Sequence, residues 1–401
     1  MSSEAIAARR AAALSPLGIA LLCGLVLLLE GYDLTAIAYT VPSLADAWHL
    51  KPAAFTLAQT GGSVGMLLGA LGFGLLGDRL PRRATITAAV AVFGFFTLCC
   101  AFAAAPTQLA GLRFLTGLGL GGGIPLAIAL ASDHAHIGQQ GRLVILMSMG
   151  VSIGNTLGGL VAARLVGFGW QWVFVVGGAV PLLLCVVLAL RLPPGGAPAS
   201  RHNPVVALWQ PPFTGQTALL WAMNFLNLLG NYLILLWLPA ILHLAGVSPQ
   251  RAILGGTAYA LGSIVGALAT APLVDRFGPE RVLWRGLAIG ALAVLLVGWL
   301  APGFGFLLLL VLLAGTGIGG CQHGINSLSG RVYPPAIRAT GAGWALGAGR
   351  VGMIIGPALG GILLALGVGG RGIFLLATIP ALGTTLSMAA LGRMRRRLAA
   401  A

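Results

Sequence analysis

Two acids three residues apart, Glu30 and Asp33, interrupt the apolar run GLVLLLEGYDLTAIAY. Spaced i, i+3, they fall on one face of a helix. No basic residue stands near them in sequence. In the middle of a bilayer each charge would cost at least about 2.5–3.5 kcal/mol. The pair must therefore face a wet cavity, meet a cation or carry protons. Burial disfavours a charged carboxyl and a neighbouring guanidinium favours it. An acid held between those influences can load a proton from one side and release it to the other. Proton coupling is the chemistry expected of Glu30 and Asp33.

Two arginines fall inside apolar runs, Arg113 in RFLTGLGLGGGIP and Arg350 in GAGRVGMIIGP. A guanidinium matches a carboxylate in fork geometry. Both are candidates for pairing the acids and for holding an anionic substrate. The competing reading, purely structural ion pairs, is set against the rule that ionisable residues within a membrane are functional by default. Asn224, Asn227 and Asn231 form one helical stripe, and Gln322, His323 and Asn326 a second polar group. Asn227, Asn231, Gln322, His323 and Asn326 are read as substrate-facing, with interhelical hydrogen bonding as the structural alternative. Tyr39 joins them as an aromatic wall, with ordinary packing or an interface anchor as the alternative. Tyr32, Tyr232, Trp237 and Trp344 are further aromatics that ordinary packing also explains. The five cysteines lie in apolar runs without metal spacing, and Asp133, His134 and His136 are too weakly patterned for a metal site. No metal or organic cofactor is expected.

The elements that must position these residues follow from composition. The chain is 58% apolar and 8% charged, whereas soluble domains carry about 25% charged residues. Twelve apolar runs near 17–42, 53–77, 84–104, 107–132, 142–167, 170–190, 216–243, 250–273, 282–301, 304–329, 341–366 and 370–392 are long enough to span a bilayer. The polar gap after Arg191 divides them into a half at 1–190, a linker at 191–215 and a second half at 216–401. With a cytoplasmic N-terminus, 17 of the 23 basic residues fall on that side and four, Lys51, Arg164, Arg251 and Arg371, on the other. That asymmetry is the positive-inside pattern. It accounts for the net charge of +15 without nucleic acid, for which no basic face or stacking pattern is present.

The halves repeat each other. Asp78 and Asp275 are 197 residues apart, as are Gly65 and Gly262, and Gly69 and Gly266. Glu30 and Asn227 stand at the same offset. Gly117, Gly119 and Gly121 recur as Gly315, Gly317 and Gly319, and Gly150, Gly154 and Gly158 as Gly352, Gly356 and Gly360. Such rows let helix backbones approach closely in lipid. Parallel repeats of this kind suit alternating access around a site near the midplane. The loop residues Asp78, Arg79, Arg82 and Arg83, with their copies Asp275 and Arg276, read as a conformational latch.

These loops and the Arg-led glycine row resemble the major facilitator superfamily, and more closely its aromatic acid:proton symporters. The resemblance covers nearly the whole chain. It rests on Glu30-Gly31-Tyr32-Asp33, on RFLTGLGLG at 113–121 and on YPPAIRATGAGWALGAGRVGMIIGP at 333–357. Glu30 stands where Asp is usual, as transporters of the hydroxyphenylpropionate type also tolerate, and Pro81 stands where the loop usually has Gly. The resemblance implies an all-α membrane protein of twelve helices in two pseudo-symmetric halves. It implies proton-coupled uptake of an aromatic carboxylate of the benzoate, hydroxybenzoate or phenylpropionate class, with protons as coupling ion. Glu30 and Asp33 would couple protons, and Arg113 and Arg350 would serve substrate or coupling. The expected setting is a bacterial inner membrane, as a monomer in the lipid bilayer with both termini cytoplasmic. The alternative is a proton-driven drug efflux antiporter of the same fold, which leaves both arginines without a role. A sensor would need a signalling domain, and an enzyme a soluble loop, that these short tails and gaps do not supply.

Overall fold

The computed structural model describes residues 15–77, 80–134, 140–192, 205–300, 303–334 and 337–400. Twelve long helices form at the twelve apolar runs. In the first half they are α1 (Pro16–Trp48), α2 (Thr56–Gly77), α3 (Arg82–Cys100), α4 (Pro106–His134), α5 (Gln140–Leu165) and α6 (Gln171–Arg191). In the second they are α7 (Thr214–Leu244), α8 (Pro249–Phe277), α9 (Pro279–Leu300), α10, α11 (Arg338–Ala365) and α12 (Gly370–Ala400). Helix α10 runs Phe304–Ala314, widens into a π-turn at Gly315–Gly319 and continues as Gly320–Val332. Among the described residues, ten helices are long and apolar enough to cross a membrane, and there are no strands. Inside each helix the backbone polar groups are met by the helix itself, as hydrocarbon requires, and only the ends need other partners. Leucines such as Leu68, Leu183, Leu190 and Leu386 face outward, where only lipid suits them.

Local chemistry sets the ends. Ser15 caps α1 by accepting from the Gly18 amide at 3.2 Å, with Pro16 in the first turn. The helix runs six residues past the end read at 42, carrying Pro42 inside it. It stops where His49 turns left-handed (φ 53°) and its amide reaches back to the Asp46 carbonyl. Likewise α12 continues through the basic tail, because Arg395 pairs with Glu280 at the start of α9 and Arg396 donates to the Gly392 carbonyl at 3.1 Å.

The strongest packing pairs recur in the two halves: α1 with α5 as α7 with α11, α2 with α4 as α8 with α10, α3 with α6 as α9 with α12. Glycines permit the close approach. Gly65 and Gly69 lie against the carbonyls of Phe114 and Leu118, and Gly262 and Gly266 against those of Leu312 and Thr316. A Cβ at any of the four would collide with backbone.

The core is not uniform through the depth. On the face carrying Lys51, Arg164, Arg251 and Arg371, one apolar core runs through both halves, from Leu44, Phe55 and Phe174 to Leu238, Ile253 and Phe374. Toward the arginine-rich face it divides. One part is built on Ile19, Val90, Leu130 and Leu188, the other on Leu220, Leu287, Leu328 and Leu391. The halves share one core at the first face; toward the other the cores are separate, and Met353 of α11 and Tyr232 of α7 still touch the one built on the first half.

Candidate functional site

Helix α1 brings the two acids to mid-depth and gives them different surroundings. Asp33 is wholly buried. Arg113 of α4 donates from Nη1 to its Oδ2 at 2.8 Å and from Nη2 to its main-chain oxygen at 3.1 Å. Thr97 of α3 donates to its Oδ1 at 2.5 Å. Three helices thus converge on one carboxylate, and Arg113 is itself 2% exposed. Its reach to Asp33 agrees with the sequence reading, and in this conformation it is committed to that acid and not to an open cavity.

Glu30 is 1% exposed, and neither carboxyl oxygen has a hydrogen-bond partner. The group is directed at Gly123 of α4, where a Cβ would stand 2.7 Å from Oε2. Arg350 of α11 and Tyr232 of α7 lie within electrostatic reach of it. Among the described residues, no hydrogen bond or ion pair holds the Arg350 guanidinium. A buried carboxyl without donors is costly as an anion, so this position suits a proton or an approaching cation.

The second half contributes a directed chain of amides. The Ile318 carbonyl, in the π-turn of α10, can only accept, so the atom 3.1 Å from it is Nδ2 of Asn227. Asn227 Nδ2 also donates to Gln322 Oε1 at 2.7 Å. Gln322 Nε2 then donates to Asn224 Oδ1 at 3.1 Å and Asn326 Oδ1 at 2.8 Å. Asn224 Nδ2 ends on the Leu220 carbonyl at 3.0 Å. Two backbone carbonyls therefore fix the sense of every bond, and Asn227 Oδ1 is left buried without a partner. Asn231 stands apart and accepts from the Tyr259 hydroxyl at 2.8 Å. His323 Nε2 lies 3.4 Å from Ser152 Oγ of α5, a polar contact between the halves.

Tyr39, read from the sequence as an aromatic wall of the site, is completely buried in the closed seam. Its hydroxyl donates to the Asn155 carbonyl at 3.0 Å, and its ring covers Gly159 and Gly256. Tyr32 likewise donates to the Val173 carbonyl at 2.9 Å, and Trp237 to that of Pro357 at 2.8 Å. Of the loop residues, Asp78 and Arg79 lie outside the described residues, as does His136. Arg83 donates to the Leu192 carbonyl at 3.2 Å, tying α3 to the end of α6. Arg82 is buried, Asp275 is engaged, and the Arg276 guanidinium lies 5.2 Å over the Phe277 ring. No group of three metal-ligating side chains occurs among the described residues.

The structure adds residues that sequence reasoning passed over. Gln59 of α2 is buried with both amide atoms unpartnered, as are Thr116 Oγ1, Asn155 Oδ1 and Arg113 Nε. Gln59 lies one turn before Gly62, whose Cβ position is 3.7 Å from Arg113 Nη2. Buried polar atoms in folded proteins are nearly all hydrogen-bonded, so a set of exceptions on α1, α2, α4, α5 and α7 marks an interior prepared for polar partners. A glutamine in TLAQTGG carried no sequence signal, because nothing in its spacing separated it from the small polar residues of a packing face.

The profile of the Major Facilitator Superfamily matches residues 23–239 and 220–400. The 4-hydroxybenzoate transporter of Pseudomonas aeruginosa is 34% identical, the alignment covering 87% of this chain and 86% of the relative. The 3-(3-hydroxy-phenyl)propionate transporter of Escherichia coli is 37% identical over 88% of each chain. Among solved structures, that of a D-xylose–proton symporter superposes with a TM-score of 0.74 at 17% identity, covering 91% of this chain and 96% of that one. At that identity the likeness speaks for the fold.

Proposed function

The chain belongs to the Major Facilitator Superfamily, is a multi-pass membrane transporter and not an enzyme, and from that premise we propose that it imports an aromatic carboxylate together with protons. The substrate class is supported by its relatives, which carry hydroxybenzoate and hydroxyphenylpropionate. The observation that carries the reading is the unequal treatment of two acids and two arginines. Arg113 is neutralised by Asp33, which leaves Arg350 as the guanidinium without a partner among the described residues, within reach of an unpartnered Glu30.

An incoming carboxylate takes the Arg350 guanidinium in fork geometry. Glu30 then loses the one nearby positive charge that favours its anion, and a proton settles on it. Anion and proton each make the other's binding more favourable, and that coupling is reciprocal. Asp33, tied to α3 and α4, makes proton release depend on how those helices move against α1. Asn227 Oδ1 and the free ends of Gln59 and Asn326 offer hydrogen bonds to the ring substituents. The proposed setting is an inner membrane with the arginine-rich face cytoplasmic, the protein acting as a monomer.

The test is uptake by purified protein in liposomes under an inward proton gradient, with benzoate, hydroxybenzoates, gentisate and phenylpropionates beside a cationic dye and a sugar. Gradient-driven uptake of one acid, abolished by a protonophore, is expected. Asp33→Asn is expected to abolish it, and Arg350→Ala to raise the half-saturating concentration at least tenfold. Expulsion of the dye with no uptake of any acid would overturn the reading.

A further inference from the structure

Of the chain's eight acidic residues, Asp46 alone belongs to the arginine-poor face. It lies in the last turn of α1, and its Oδ1 is 2.9 Å from Nε2 of His243 in the last turn of α7. The two positions are 197 residues apart, the offset that relates the two halves. Residues equivalent through a two-fold axis can touch only where that axis passes. The pair therefore sits on the pseudo-symmetry axis, at the centre of the closed seam where α1 meets α7.

Both nitrogens of the His243 ring face acceptors. Nδ1 lies 3.0 Å from the Val247 carbonyl and Nε2 faces the Asp46 carboxylate. A carbonyl and a carboxylate each need a donor, and an imidazole donates from both nitrogens only when it carries two protons. Asp46 is 58% exposed and His243 20%, so the proton exchanges with the solution at this face. The other charged or titratable groups at these helix ends are His49 and Lys51 after α1, Arg164 at the end of α5, Arg251 opening α8 and Arg371 opening α12. None of them is an acid, and among the described residues none of their side chains makes a hydrogen bond or ion pair with the side chain of His243 or Asp46; the His49 contact with Asp46 is the main-chain bond that ends α1.

We infer that His243 with Asp46 is a second proton-binding site, one that locks the arginine-poor face shut when occupied. Opening the seam parts α1 from α7 and takes Asp46 from the imidazolium, so the closed state binds this proton more tightly than the open one. By linkage, acid at that face favours closure and alkali favours opening. The proton enters and leaves on the same side. It gates the cycle and adds nothing to the number of protons carried across. Histidine is the side chain whose charge ordinarily changes between about pH 5 and 8. An ion pair this exposed is weak, so a several-fold change in population is expected, not an all-or-none switch.

The test needs neither substrate nor gradient, so it stands apart from the transport reading. Leu50→Cys and Gln250→Cys, one in each half at the exposed rim of the seam, carry spin labels in full-length protein freed of its native cysteines and held in lipid nanodiscs. Distances are read from pH 8 to pH 5, the same on both sides. The short-distance population is expected to rise several-fold on acidification. That response is expected to vanish in His243→Gln, to shrink in Asp46→Asn and to persist in His49→Gln. A parent protein that does not respond, a response unchanged in both His243→Gln and Asp46→Asn, or one that follows His49, would overturn the proposal.

Discussion

Asp33 draws donors from α3 and α4 at once, and this makes it a structural joint as well as a proposed proton site. Removing one partner of a buried ion pair leaves a charge without compensation and costs about 3–5 kcal/mol. Arg113→Ala is therefore expected to lower the melting temperature in detergent sharply, and Arg113→Ala with Asp33→Ala to recover part of the loss. Thr97→Val removes one hydrogen bond to the same carboxylate and is expected to cost about 1.5–3 kcal/mol. Thermal melts of the three variants rank them in that order, or the pairing matters less than its geometry implies. The acids and arginines were legible in the sequence because a charge in an apolar run is conspicuous. Thr97 and Gln59 were not, since a hydroxyl or an amide on a helix face has the same spacing whether it packs or binds. The separate fates of Arg113 and Arg350 depend on which acid each meets, which no linear pattern states.

At the level of helices, glycine spacing carried real information about packing. Gly69 and Gly72 share α2, but a Cβ on Gly69 would strike the Leu118 backbone whereas Gly72 has nothing within 4 Å. Overpacking of that kind costs about 1–3 kcal/mol or more. Gly69→Ala is expected to lower the melting temperature, while Gly72→Ala leaves it unchanged or raises it by the helix preference of alanine, about 1 kcal/mol. Equal effects from the two would show that the α2–α4 contact is looser than described. The twelve helices were legible from apolar length. Their ends were less so: the first run was read to 42, yet the helix continues through Pro42, because a single missing amide bond does not end a helix whose later residues still pack. The π-turn was invisible, because Gly-Thr-Gly-Ile-Gly reads alike in either helical form.

For the whole molecule, the contrast between one shared core at the arginine-poor face and two separate cores beyond it fixes where motion is hindered. A flexible cross-linker joining Asp46→Cys to His243→Cys, in a background without native cysteines, is expected to stop uptake while leaving binding of an aromatic acid from the arginine-rich face intact. Loss of both would place the entrance elsewhere. The two halves match helix for helix, but the glycine row of α4 stays α-helical where that of α10 widens by one residue. That insertion is absorbed where it stands. The widened turn fits one more residue into a single turn than an α-helix does, so deleting one residue between Gly315 and Gly319 heals the helix and leaves Gln322, His323 and Asn326 on nearly the same face, while it moves the Ile318 carbonyl that Asn227 meets. A protein one residue shorter there would keep its helical content and the facing of its amides, and would lose the one carbonyl that now tells Asn227 which way to point.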